Sequence, residues 1–139
     1  MFNIDSLLRK PVKQLGRNEQ RSLFMYLSSL LEFWALSEGI HIICFTYHRT
    51  QDEQNRLVNS SRDVTSTKHS RHTRWLAKDY VVIDSRGRAD WKADDEYLKM
   101  GEFWERIHPE TAWGGRWEDP YDPYHFQLGG LRKAPGELA

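Results

Sequence analysis

A chain of 139 residues, 39% apolar and 13% aromatic with six tryptophans, is long enough to bury one core and too hydrophobic for disorder. Its 20 basic and 20 acidic residues cancel, which excludes a whole-protein field that would draw it to nucleic acid or an anionic membrane. A single cysteine excludes an intramolecular disulfide and a cysteine-only zinc site.

Residues 1–15 lack a basic start followed by an unbroken apolar stretch, so no signal peptide is expected. No apolar run reaches the ~20 residues of a membrane span. From residue 18 to 38, Leu23, Leu27, Leu30, Leu31 and Trp34 recur at helical spacing, and Gly39 is the expected stop. Residues 40–46, IHIICFT, read as a buried strand with Cys44 as a small buried hydrophobe. Thr50 and Glu53 form a capping-box pattern that opens a short helix through about Val58. Residues 59–71 are polar and turn-rich. Residues 76–83, LAKDYVVI, predict a second strand, and 85–88 a turn.

Between Asp94 and Ile107 the residues Tyr97, Leu98, Phe103, Trp104 and Ile107 predict an amphipathic helix. Residues 113–128 hold a turn and a short final strand, and the tail beyond Leu128 is expected to fray. Helices and antiparallel strands in segregated order give an α+β fold, one small domain of residues 1–139 with its core at about 18–128.

Asp79 lies near the start of a strand about to be buried, and a buried carboxylate needs pairing, hydrogen bonds or a metal. A loop turning into a strand near Leu76 would bring His72 back over Asp79; one continuous helix or one flat strand would not. His125, at the mouth of the last strand, is the third candidate, and two histidines with one carboxylate match the ligand set of catalytic zinc. The alternative is a loop histidine, a hydrogen-bonded strand-end acid and a satisfied core histidine. His69, three residues before His72, is a weaker alternative ligand, and His41, His48 and His108 read as strand, turn and helix-end residues.

Ser70-Arg-His72 followed by Ala77-Lys-Asp79 resembles the S-x-H-x(4)-A-x-D motif of the zinc D-alanyl-D-alanine carboxypeptidases, a family that includes phage endolysins acting as L-alanyl-D-glutamate peptidases. Trp113-Gly-Gly-Arg-Trp117 and Asp122-Pro-Tyr-His125-Phe126 resemble its WGG-x-W…D-x-x-H-F segment. Tyr47-His-Arg49 before Glu53-Gln54 resembles its G-Y-R…E-Q stretch, with His48 intervening. The blocks follow the family's order across residues 45–128. One departure is Trp75, where the family often has glycine.

The resemblance implies a hedgehog/DD-peptidase-like domain with Zn²⁺ on His72, Asp79 and His125. Asp122 is implied as general base, with Glu118 and Asp119 as rivals, and Arg49 as oxyanion stabiliser. It implies Ser70 on the substrate or as a loop cap. Gln54 is assigned to the substrate site, where support of Arg49 is its stronger role. Trp113 and Trp117 are groove candidates, although aromatic core packing is the default. The expected partner is a peptidoglycan stem peptide, the expected state a monomer without bound nucleic acid.

Carboxypeptidase and endopeptidase action both stay open. Small size and the absence of a signal and of a wall-binding domain favour a phage or prophage lysis-type enzyme. It would be made in the cytoplasm and reach the wall after phage-assisted release or other export. A cytoplasmic dipeptidase and a non-catalytic zinc or wall-binding module remain alternatives. A nucleic-acid binder using Arg62, Lys68, Arg71 and Arg74 is the weakest, since those cations share one short loop.

Overall fold

The structure is a computed structural model that describes residues 3–59, 70–118 and 120–130. Helices α1 (Ile4–Arg9) and α2 (Arg17–Ser37) lead into β1 (Ile42–Thr46), and α3 (Gln51–Val58) follows. After a 3-10 turn at Arg71–Arg74 come β2 (Ala77–Ile83), β3 (Ala89–Asp90), α4 (Asp94–Ile107), β4 (Thr111–Trp113), a 3-10 turn at Gly114–Arg116 and β5 (His125–Leu128). The strands form one antiparallel sheet in the order β1-β2-β5-β4, with β3 on β2.

The long helix follows its sequence closely. Leu23, Leu27, Leu31 and Ala35 repeat every four residues and are all buried, with Phe24 and Ser28 filling the same face. At its end Gly39 takes φ 75°, Ile40 N–H reaches back to Ala35 O and Gly39 N–H to Leu36 O. This is the Schellman arrangement that glycine permits. Thr50 caps α3 by accepting from Glu53 N–H at 3.1 Å.

Helix α4 starts with Asp94, Asp95 and Glu96, favourable charges for a helix N-terminus, and buries Tyr97, Met100, Gly101 and Trp104. A Cβ at Gly101 would lie 2.1 Å from the Trp113 ring, so only glycine lets β4 come this close. Trp104 then ties the sheet to the helix by donating Nε1–H to the carbonyls of Ala112 on β4 and Gln127 on β5, both at 3.1 Å. Its ring meets Phe24 of α2 and Phe126 of β5 edge-on. The core therefore lies between the sheet and the pair α2 and α4.

Two sequence expectations need correction. Strand β1 is not buried: it is the edge of the sheet, with Ile43 54% and Phe45 47% exposed. Cys44 is exposed with it, not a buried hydrophobe. Hydrophobic content alone reads an edge strand as a central one, because both are built from the same β-branched and aromatic residues. Beyond Leu128, the chain is tied in through Gly130. Gly129 N–H donates to Glu110 O at 2.8 Å, and Gln127 donates to the Gly129 and Gly130 carbonyls. Residues 131–139 lie outside the described residues.

Candidate metal centre

Three neighbouring elements meet at one buried point. Asp79 on β2 pairs directly across from His125 on β5, so the sheet register alone places their side chains together. His72 arrives from the 3-10 turn Arg71–Arg74. Ser70 starts this turn by accepting from His72 N–H at 3.2 Å, and Trp75 ends it. Trp75 takes φ 62° and ψ 34°, the one positive φ of a non-glycine among the described residues, and Leu76 N–H closes the turn on Arg71 O. This left-handed residue reverses the chain into β2. The position at which glycine is expected does require glycine's conformation.

A tryptophan there costs about 1–2 kcal/mol in backbone strain. Its ring offsets this by stacking on His48, with centroids 3.8 Å apart and planes at 8°, and by meeting Tyr47 edge-on at 5.3 Å. The inserted His48 and the unexpected Trp75 thus pack against each other. Each aromatic pair contributes about 0.5–1.5 kcal/mol beyond the apolar area it buries. Trp75→Gly is therefore expected to lower unfolding stability by about 1 kcal/mol, the lost stacking outweighing the relieved strain. Urea denaturation checks it, and a stabilised variant would show that strain dominates.

The ligand atoms of His72, Asp79 and His125 all lie within 4.8 Å of one another. Asp79 Oδ2 is 3.1 Å from His72 Nε2, and Asp79 Oδ1 is 3.1 Å from His125 Nδ1. The outer nitrogens are what make this set suit a cation. His72 Nδ1 sits 2.9 Å from the Tyr47 carbonyl, which can only accept, so the proton belongs on Nδ1. His125 Nε2 lies 2.8 Å from Gln127 Oε1. Gln127 is held with its oxygen toward the imidazole because its amide donates to the carbonyls of Gly129 and Gly130.

Both neutral imidazoles therefore aim a lone pair at a buried carboxylate. Three lone-pair donors converging with no hydrogen between them repel, unless a proton or a metal ion sits among them. In the metal-free protein protons fill that role. Burial alone would raise the Asp79 carboxyl, but hydrogen bonds and positive charge from His125 and His72 override it and hold it far below the usual carboxylate range. Burial alone would likewise lower His125; the hydrogen bond and charge of Asp79, with the charge of Asp122, raise it instead.

The other sequence-derived residues fall into two groups. Asp122 is half-buried, and its electrostatic field includes His125, Asp79 and His72. Burial raises its carboxyl; the Asp79 charge adds to the rise, while His125, the Tyr124 N–H and His72 counter it. Gly114 makes room for it: a Cβ there would lie 2.2 Å from the Asp122 carbonyl, and Asp122 N–H donates to Gly114 O at 3.0 Å. Glu118 is exposed, and Asp119 and His69 lie outside the described residues, as do Arg62 and Lys68.

Arg49 is anchored by its backbone N–H to the His72 carbonyl at 3.2 Å and by Nη1 to Gln54 Oε1 at 2.8 Å. It forms no ion pair with Asp52 or Glu53. Gln54 is fully buried, with its Oε1 accepting from the arginine. Ser70 is buried as the cap of the His72 turn. Trp113 is a core residue rather than part of a groove: its ring fills the space left by Gly101 and Gly115, and Nε1 donates to Pro123 O at 2.8 Å. Trp117 is the tryptophan beside the cluster, its ring 5.1 Å from that of His125.

Gln127 is the residue that sequence reading misses. Its signal in the sequence is only that of a polar residue two positions after a candidate ligand, with Leu128 and then Gly129-Gly130 behind it.

These side chains define an α+β domain of the DD-peptidase-like fold, centred on a His–Asp–His cluster able to hold a metal ion. Among solved structures, the L-Ala D-Glu endopeptidase ChiX of Serratia marcescens shares this fold with a TM-score of 0.62 and 22% identity, over 84% of this chain and 82% of its own. The vancomycin-resistance D,D-pentapeptidase VanY, solved with Zn(II), matches with a TM-score of 0.53 and 15% identity, over 77% of this chain and 71% of its own. At such identities the likeness establishes the fold. No family model and no curated protein sequence matches the chain. None of the described helices is long and apolar enough to cross a membrane.

Proposed function

We propose that the domain is a zinc-dependent peptidase that hydrolyses peptide bonds in peptidoglycan stem peptides. One observation carries this reading: two imidazoles with their protons pinned outward face one buried carboxylate, a set that suits a divalent cation better than it suits itself. Two nitrogens and one carboxylate oxygen leave a fourth position open, as in catalytic rather than structural zinc sites. The two solved structures named above are peptidases by name, one of them with Zn(II) bound, which supports the same choice.

Zinc held by His72, Asp79 and His125 would supply Lewis acidity to the scissile carbonyl and acidify the attacking water. Asp122, its basicity raised by burial, accepts the proton of the water and returns it to the leaving amine. Arg49, held by Gln54 and the His72 carbonyl, presents a fixed cation to the oxyanion that develops on the carbonyl oxygen. Trp117 beside His125 limits water on that side of the site.

Digestion of purified peptidoglycan, followed by mass spectrometry of the fragments, tests the function with zinc-loaded and chelated protein. New D-glutamate amino termini identify cleavage after L-alanine, and released D-alanine identifies carboxypeptidase action. Equal release by loaded and chelated protein overturns the zinc assignment.

The same cluster sets a pH dependence. The raised imidazole of His125 contributes stability below its unfolded value near 6.5, lost as pH rises through the folded value. The depressed carboxyl of Asp79 contributes above its unfolded value near 4, lost only in strong acid. Metal-free protein is therefore expected to melt lower at about pH 8.5 than at about pH 6, and zinc to raise the melting temperature more at the higher pH. Calorimetry at both values checks this; a larger gain from zinc at the lower pH would contradict it.

A further inference from the structure

Beside the His72 turn, Arg17, Gln20 and Arg21 of α2 and Thr73 and Arg74 of the turn line an open cavity of about 360 Å³. Three of these five side chains are guanidinium groups from two separate elements, and no carboxylate among the described residues lines the cavity. None of the three forms an ion pair among the described residues. The nearest acid on the same helix turn, Glu19, is engaged: its Oε1 accepts from Gly16 N–H at 2.9 Å.

One of the cations, Arg21, is also held in place. Its Nε donates to the Arg74 carbonyl at 3.4 Å, and its guanidinium lies 6.0 Å from the centre of the Trp75 ring. Arg17 opens α2, where the helix end is itself positive and a cation is disfavoured, and Arg21 follows one turn later. Like charges gathered at an unfavourable place around an open space are a local conflict of the kind found at binding sites.

We propose that this cavity is an anion subsite that takes a free carboxylate of the substrate peptide. The assignment rests on the peptidase reading and extends it. Guanidinium groups bind carboxylates through paired parallel hydrogen bonds, which a single lysine cannot do. In a turn rising about 2 Å per residue, Thr73 and Arg74 follow His72 by about 2 and 4 Å. An extended peptide advances about 3.3 Å per residue, so the proposed ligand is a carboxylate close in sequence to the scissile bond, reaching a cavity lined by the two residues that directly follow His72. A stem-peptide glutamate joined through one carboxyl retains a second, and that group is the proposed ligand.

The test uses a product that cannot be cleaved again, γ-D-glutamyl-L-lysine, with its free glutamate carboxylate either intact or amidated. Calorimetric binding is measured with zinc-loaded protein, wild type and the double variant Arg21→Gln/Arg74→Gln; circular dichroism confirms the fold. Amidation of the peptide and loss of the arginines are each expected to weaken binding about tenfold, and together no more than either alone. Binding of the intact dipeptide should also weaken more steeply as salt rises than binding of the amidated one, which carries one negative charge fewer.

Equal affinity for the two dipeptides, or unchanged affinity in the double variant, overturns the subsite. Displacement of the dipeptide by a single-stranded oligonucleotide at concentrations below the dipeptide's own dissociation constant reassigns the cavity to a polyanion and also overturns it. Because binding is read without cleavage, the two readings separate. Peptidoglycan digestion without the arginine coupling removes only the subsite; coupling without digestion removes only the peptidase.

Discussion

Asp79→Asn protein is expected to lose its zinc and, with it, the proposed hydrolysis of peptidoglycan. Asp79 contributes the one anionic donor of the cluster and touches both imidazoles, through Oδ2 to His72 and Oδ1 to His125. An asparagine of the same shape offers one neutral oxygen, and its NH₂ group points a hydrogen at a lone pair that should face the metal. Outer partners of metal ligands typically cost about 10–100-fold in metal affinity when removed. Gln127→Ala, which frees His125 Nε2 but leaves all three donors, should fall in that range. Loss of the carboxylate itself should exceed it.

Zinc content after dialysis against a weak chelator reads both variants directly. The order matters more than either value: Asp79→Asn below Gln127→Ala below wild type. An Asp79→Asn protein that keeps stoichiometric zinc would remove Asp79 from the ligand set, whatever its activity. The substitution also disturbs the metal-free fold, since His125 is buried and its charge is balanced by Asp79. Removing one partner of a buried pair costs about 3–5 kcal/mol. Melting curves of the zinc-free variants separate this loss from the loss of metal.

The sequence made some of this legible for identifiable reasons. Helix α2 and its end at Gly39 could be read because burial repeats every four residues and a left-handed stop favours glycine. Asp79 could be singled out because a carboxylate in an apolar strand has few stable fates. Its pairing across from His125 was not legible, because register is set between strands about 46 residues apart along the chain. The short α1 carries too few residues for a periodic signal, and the two-residue β3 exists only as a partner of β2.

The exposure of β1 was misread because neighbours, not composition, decide which strand is an edge. Tautomers were out of reach altogether: the Tyr47 carbonyl and the Gln127 amide decide where the histidine protons lie, and both act through space. Trp75 shows the opposite case. Its place in the chain identified the turn before the turn was seen, and the strain of φ 62° is the structural counterpart of the missing glycine.

Asp122→Asn is expected to lower the turnover of peptidoglycan cleavage by about 10²–10⁴-fold while leaving zinc content unchanged. Asp122 is separate from the three converging donors, yet it feels the charges of all three. Its carboxyl is raised, first by burial, which makes its carboxylate a stronger base than that of an exposed aspartate. The amide keeps an oxygen that can accept from Tyr124 N–H and fits the space that Gly114 leaves, so the loop should hold.

What the amide cannot do is take a proton, and that is the single function the substitution removes. The prediction therefore distinguishes a base from a fourth ligand: a base costs turnover alone, whereas a ligand costs zinc as well. Glu118→Gln serves as the control, because Glu118 is exposed and lies only four residues away in the same segment. Loss of turnover in Glu118→Gln with full activity in Asp122→Asn would transfer the role to Glu118. Full activity in both would mean that proton transfer runs through solvent, and that the burial of Asp122 serves the loop around Gly114 rather than the reaction.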